Sequence, residues 1–170
     1  MYQILIHHSC FFILYHLYSR MNNVSELDYM PTVKFVKVAE NAILPTKNHA
    51  SDTGFDMYAT TETVIPARGS AVVPVGIKVG YIPPGYWFKI ESRSGLGFKH
   101  SLMTHPGIVD CEYRGDCGVK LYNFSDVDYV MKAGDRCAQI VFYLNLDITL
   151  EWGQSQTSVR GEKGLGSSGK

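Results

Sequence analysis

The apolar residues of this chain fall in short runs with a period of two, and nothing else in the sequence restricts the fold as strongly. The runs are FDMYA (55–59), TVIP (63–66), AVVPVGIKVGYI (71–82), WFKIE (87–91), GVKLYNF (118–124), YVMKAG (129–134) and CAQIVFYLNLDITLEW (137–152). Each is rich in β-branched or aromatic residues and is bounded by Gly, Pro, Asn or Asp, which marks strands. No stretch keeps a capped 3.6-residue apolar stripe long enough for a major helix. Many short strands at close spacing predict an all-β domain, as a sandwich, barrel or jelly roll. An earlier run, TVKFVKVA (32–39), changes phase between Phe35 and Val36. It predicts a bulge or a strand buried on both faces. Pro66, Pro74, Pro83 and Pro84 are expected at strand ends or edges, where a missing N–H is tolerated.

The ends of the chain differ from this body. Met1–Arg20 has no Asp or Glu and is dense in Ile, Leu, Phe and Tyr. His7, His8, Ser9 and His16 interrupt the run, so no stable membrane span is expected. A basic start and a small-residue cleavage site are both missing, and Arg20 is its sole arginine, so neither a secretory signal nor a strong mitochondrial presequence is read. Residues 1–20 are therefore expected to be a leader or non-native extension, with Met21 the functional start. Residues 21–152 form the expected β domain. Residues 153–170 are small, polar and glycine-rich, and predict a flexible arm. The cytoplasm or nucleus is the expected compartment, with organellar targeting by the leader left open.

With 170 residues, 16 basic and 16 acidic side chains, the chain has no formal net charge. That argues against non-specific attraction to nucleic acid and requires any phosphate chemistry to be local. Four cysteines are too few for a disulfide scaffold. Cys111, Cys117 and Cys137 lack metal-ligand spacing, and buried reduced thiols are the expectation.

Four polar islands carry more chemistry than turns require. In SDTGFDM (51–57), Asp56 sits inside an apolar run, an awkward place for a lone carboxylate and one that suits a metal-linked role. In SRSGLG (92–97), Arg93 offers a planar fork, Ser94 a hydroxyl and Gly95 a close backbone N–H for phosphate oxygens. A plain glycine turn with a surface arginine explains that pattern equally well. In GIVDCEYRGD (107–116), a β-hairpin is expected to present Asp110 and Tyr113 into a cavity, against a solvated tip. The tail RGEKGLGSSGK (160–170) formally contains G-x-G-x-x-G and G-x-x-x-x-G-K, but the helix that either motif needs does not follow. It reads instead as an arm able to close over a phosphate-bearing ligand.

Together with GDRCAQIVF (134–142), these islands resemble the five ordered motifs of the trimeric dUTPases. The resemblance implies an all-β, distorted jelly-roll or β-clip subunit assembling as a homotrimer with active sites shared between chains. It implies hydrolysis of dUTP to dUMP and pyrophosphate with Mg2+, which lowers dUTP and supplies dUMP for thymidylate synthesis. Asp110 is then the general base. Arg93, Ser94, Gly95 and Gln139 are phosphate ligands, and Tyr113 packs under the deoxyribose. Uracil is read by the backbone of the third motif, including Gly107 and Val109, with Thr104 nearby. Arg160, Leu165, Gly166 and Ser167 are the arm's contacts. Asp56 supports the metal through water.

Three departures are visible. Leu165 stands where the family usually has a phenylalanine, and base stacking is worth about 1–3 kcal/mol. Lys163 replaces a usual glycine. Thr104 stands near a bacterial asparagine. Two other readings compete: a dCTP deaminase-like enzyme, and a catalytically weakened nucleotide-binding regulator. Asp110 and the RG…GSSG arm count against the first, and intact Asp110, Arg93, Ser94 and Gln139 against the second.

Overall fold

A computed structural model describes residues 31–156. The expectations for residues 1–20, and those for Arg160, Lys163, Leu165, Gly166 and Ser167, lie outside the described residues.

Short alternating runs become strands in two four-stranded antiparallel sheets and one two-stranded ribbon. The first sheet runs β1 (Lys34–Lys37), β4 (Ser70–Tyr81), β8 (Asp116–Asn123), β6 (Leu102–Thr104) in spatial order. The second runs β2 (Phe55–Tyr58), β10 (Arg136–Leu144), β5 (Tyr86–Glu91), β7 (Gly107–Val109). The ribbon pairs β3 (Thr63–Ile65) with β9 (Tyr129–Met131). The all-β class read from the sequence is the class observed.

Alternation in β4 and β8 sends Val73, Val75, Ile77, Val79, Val119 and Leu121 inward. They meet Met57, Phe88 and Ile140 of the second sheet in one continuous core. Phe88 is fully buried and packs edge-on against Phe142, with ring centroids 5.6 Å apart. Burying such a ring contributes roughly 1.5–3 kcal/mol. Asn123, 1% exposed, is the most deeply buried polar residue among the described ones. Its amide donates to the carbonyls of Ile65 and Val127, and its oxygen accepts from the Ser125 N–H and hydroxyl. This buried amide therefore stabilises the connection from β8 to β9 rather than costing unmade hydrogen bonds.

The phase change at Phe35 appears as a register shift between Lys34 and Phe35 where β1 meets β4. Pro74 departs from expectation. It lies inside β4, not at an end, and the pairing with β8 shifts between Pro74 and Lys78. A register break is one of the few interior places a strand tolerates proline. Gly76 sits in that break at φ +64°. Its carbonyl accepts from the N–H groups of Val38 and Ala39. A Cβ there would lie 2.7 Å from Ala39 Cβ and 2.8 Å from Thr60 Cγ2. Gly76→Ala is expected to destabilise the protein by about 1–3 kcal/mol, from backbone strain plus overpacking. A urea unfolding curve with an unchanged midpoint would refute this.

Two further expectations are corrected. The segment 107–123 is not a β-hairpin. β7 pairs with β5, whereas β8 pairs with β4 and β6. Residues 110–115 therefore cross from one sheet to the other. Strand propensity marks where strands occur, but the partners are chosen by tertiary packing. The last apolar run also stops early, with β10 ending at Leu144. Beyond it, Leu146, Ile148, Leu150 and Trp152 are all exposed.

Candidate active site

The sheet register assembles a polar cleft from the first two islands and the segment 134–142. In the second sheet Gln139 of β10 lies directly opposite Asp56 of β2 on one side and Glu91 of β5 on the other. Directly opposed residues in antiparallel strands share a face. Asp56 is fixed further by Thr46, whose N–H and carbonyl both pair with its backbone. Past Glu91 the chain leaves β5 and enters helix α1 (Ser94–His100), where the sequence left a glycine turn and a phosphate-binding loop as equal readings and predicted no helix. Its seven residues are too few to show an apolar stripe.

The cleft has a volume of about 380 Å³ and is lined by Asn48, Asp52, Asp56, Arg93, Arg136 and Gln139, together with residues 53–54 and 94–95. Arg93 Nε donates to Asp56 Oδ1 at 2.7 Å, and Arg136 Nη1 donates to Asp56 Oδ2 at 3.2 Å. Arg93 Nη1 also donates to the Arg136 carbonyl at 3.2 Å. Gln139 Nε2 donates to the Ser92 carbonyl at 2.8 Å. Two arginines and two aspartates, Asp52 and Asp56, line the cleft, so its formal charges balance. A guanidinium has five N–H groups, so each arginine keeps donors for an anion.

Ser94 and Gly95 open the helix ahead of Leu96 and Gly97, whose N–H groups both donate to the Arg93 carbonyl, and the first N–H groups of a helix have no carbonyl four residues back to bond. Gly95 does not need its glycine for a positive φ, and a Cβ there would meet nothing within 4 Å. The fold of this chain gives no reason for glycine at that place, whereas close approach of a ligand does. Gly107 is equally open.

The third island lies elsewhere. β7 runs antiparallel to β5, with Gly107 opposite Ile90 and Val109 opposite Phe88. Asp110 therefore continues toward the level of Trp87, six positions back along β5 from Arg93. At about 3.3 Å per residue that is roughly 20 Å. Asp110 and Tyr113 are exposed and line no part of the polar cleft. Their loop is nonetheless ordered by its own contacts. Arg114 Nη1 donates to the carbonyls of Cys111 and Tyr113, both at 2.7 Å. The Tyr113 hydroxyl donates to the Asp116 carbonyl, and its ring lies across Gly115, where a Cβ would clash with it. β7 is the edge of its sheet. An edge strand presents unpaired N–H and C=O groups, here along Gly107–Val109.

Thr104 is buried on β6, and its hydroxyl has no partner among the described residues. Its N–H donates to the Ser92 hydroxyl, tying β6 to the start of the second island. Val109 is buried in the core, so its backbone alone is available for recognition. Burial pushes the Cys117 thiol up to about 11 and the Cys137 thiol up to about 12. Both stay protonated near neutral pH and do not act as thiolate ligands. Among the described residues no group of three or more His, Cys, Asp or Glu converges to hold a metal. Asp56 still fits indirect support of one: a carboxylate offers about four lone-pair sites, and the two arginines take one at each oxygen.

Sequence reasoning missed Arg136. Its strand neighbours Ala138 and Ile140, of the same parity, are buried, and alternation alone would send Arg136 inward. It also missed Gly54, over which the Gln139 side chain folds.

The sequence model of the dUTPase family matches residues 40–169. The deoxyuridine 5'-triphosphate nucleotidohydrolase of Oryza sativa subsp. japonica is 41% identical over 142 residues, covering 82% of this chain and 81% of that protein. Among solved structures, Staphylococcus bacteriophage 80alpha dUTPase with dUPNHPP matches with a TM-score of 0.74 at 27% identity, over 82% of this chain and 99% of that one. A mutant dUTPase from phage phi11 of S. aureus, described with a structural Mg(II) ion, matches with a TM-score of 0.67 at 25% identity, over 73% of this chain and 97% of that one. With the cleft built from the same ordered motifs that these comparisons span, the chain belongs to the dUTPase family.

Proposed function

We propose that the protein hydrolyses dUTP to dUMP and pyrophosphate in sites completed between the chains of a homotrimer. The observation that carries the reading is the cleft, where Arg93, Gln139 and the open backbone at Ser94 and Gly95 form a built receptor for a short polyphosphate. Gly107 lies opposite Ile90, while Asp110 and Tyr113 continue past the Phe88 end of β5, away from Arg93, and in this reading reach such a cleft from another copy. Uncovered apolar side chains from Leu144 to Trp152 also favour self-assembly, since a monomer rarely leaves so continuous a strip in water.

In this reading the triphosphate lies along the cleft, and the Asp110 carboxylate of a second chain orients one water at the α-phosphorus. Asp110 takes a proton as the water oxygen bonds to phosphorus, the bridging P–O bond breaks, and pyrophosphate departs with the electron pair. A carboxylate is a weak base, so positioning supplies much of the acceleration. Arg93 and the amides of the second motif stabilise charge on the phosphate oxygens. Magnesium, held chiefly by the phosphates and by waters that Asp56 accepts, supplies charge neutralisation when bound. Tyr113 packs against C2′ of the sugar and leaves no room for a ribose hydroxyl. The exposed backbone edge of Gly107 and Val109 reads uracil, with Thr104 behind it, and a 5-methyl group collides there. Arg160, Leu165, Gly166 and Ser167 close over the bound nucleotide as an arm. The β domain is residues 21–152, with residues 1–20 an extension and 153–170 the arm. Among the described residues no helix is long and apolar enough to cross a membrane. Cytoplasm or nucleus is the proposed compartment, and the leader leaves organellar targeting open.

The test is incubation with magnesium and, separately, dUTP, dCTP, dTTP and UTP. Pyrophosphate release from dUTP alone is expected. Ammonia from dCTP, or binding of dUTP without turnover, would overturn the reading in favour of a deaminase or a regulator. A second expectation concerns Gly54→Ala. The added methyl would displace the Gln139 amide, with the Gln139 Cδ 2.8 Å from the new carbon. The KM for dUTP should rise about tenfold from the misplaced donor, with little change in melting temperature, because a flexible side-chain end can move. Unchanged kinetics would remove Gln139 from the phosphate site.

A further inference from the structure

We infer that Arg136 is a positioning residue for the polyphosphate cleft, fixing the plane of Arg93 through Asp56 and through its own carbonyl. The inference rests on the proposed dUTP hydrolysis. It begins with the parity of β10. Ile140 and Ala138 point inward, and by strict alternation Arg136 would follow them into the core. Instead Cys137 and Ala138 are both buried in succession, and the register against β2 shifts between Arg136 and Ala138. An extra residue of this kind re-aims the side chains beside it. Here it turns Arg136 onto the face that carries Gln139 and Asp56. Cys137, fully buried with its thiol toward the Met57 carbonyl at 3.4 Å, anchors the slip from the other side.

The consequence is a closed ring of three residues from two strands and a helix entry. Arg93 donates to Asp56, Arg136 donates to the other oxygen of Asp56, and Arg93 donates to the Arg136 backbone. Two acceptors at two different nitrogens define the plane of the Arg93 guanidinium. Its remaining N–H groups are thus aimed before any ligand arrives, and Asp56 screens the repulsion between the two cations. Arg136 itself is the more exposed arginine of the pair, with a side-chain exposure of 44% against 23% for Arg93. That exposure leaves a direct phosphate contact as the competing role, and the experiment separates the two.

The experiment is a double-mutant cycle with Arg93→Ala and Arg136→Ala in the full chain. It is read by kcat/KM for dUTP and by calorimetric binding of inorganic tripolyphosphate with magnesium. If Arg136 acts through Arg93, Arg136→Ala alone lowers kcat/KM by about tenfold or more. In the Arg93→Ala background it then changes kcat/KM by less than about twofold. Equal, additive losses in both backgrounds would overturn the inference and make Arg136 an independent phosphate ligand. Arg136→Gln keeps an N–H for Asp56 without the charge, and is expected to retain more activity than Arg136→Ala. Full rescue by Arg136→Lys with none by Arg136→Gln would also overturn it, because charge alone would then matter. Melting curves of every variant exclude a purely structural loss: an unchanged kcat/KM per folded molecule counts against the proposal. Absence of pyrophosphate release by the unmutated protein would refute the functional reading instead, and the cycle is then read on tripolyphosphate binding alone.

Discussion

Asp110→Asn is expected to lower kcat for dUTP by about 10²- to 10⁴-fold, the range for losing a positioned general base. The substitution keeps shape and removes the proton acceptor. Asp110 is exposed at the end of β7. The neighbouring loop is held by Arg114 and by Tyr113, whose contacts go to backbone carbonyls and not to the Asp110 carboxylate. One backbone bond does involve Asp110, its carbonyl accepting from the Tyr113 N–H, and the amide variant preserves it. Stability should therefore move by less than about 0.5 kcal/mol, as for other surface changes. The KM should change far less than kcat, because the phosphate donors belong to another part of the site. Single-turnover pyrophosphate release is the measurement. Turnover at the normal rate would remove Asp110 from the chemistry.

The second large effect is a restoration. Arg93→Ala and Asp110→Asn proteins should each be nearly inactive, yet a mixture unfolded and refolded together should recover activity. The reason is the register of β5 and β7, which holds Arg93 and Asp110 of one chain roughly 20 Å apart. In the proposed assembly a site takes Arg93 from one chain and Asp110 from a neighbour. In a random equal mixture about one quarter of sites receive both intact residues, provided that the assembly is cyclic. Mixing without unfolding should restore much less. If co-refolded mixtures remain inactive while the assembly forms normally, the two residues serve one chain's site and the shared-site proposal fails.

Much of the fold was legible because burial on one face writes itself into β-strands as alternation. The runs at 71–82 and 118–124 became the two central strands of one sheet. Pairing was less legible. β7 and β8 adjoin in sequence and looked like a hairpin, yet each is committed to a different sheet. Helix α1 was hidden by its length and its two glycines, and Pro74 by a register break that no local pattern announces. In the site, the wording of the motifs pointed to Asp56, Arg93 and Gln139, and the structure brings those three to one cleft. Arg136 was not legible, since only the slip in β10 reverses its direction. The gap between Arg93 and Asp110 was equally invisible, because it is a property of strand register and not of spacing along the chain.

The strip from Leu144 to Trp152 also bears on how the protein fares before it becomes an enzyme. Leu150 and Trp152 are almost wholly exposed, so a newly made single subunit carries a greasy ribbon with strand-like alternation, the kind of segment that recruits other chains indiscriminately. In the proposed trimer, its safety in the cell depends on how quickly sister subunits find it. Variants that slow this encounter should be lost as insoluble material during expression, and should look normal once the surviving fraction is purified.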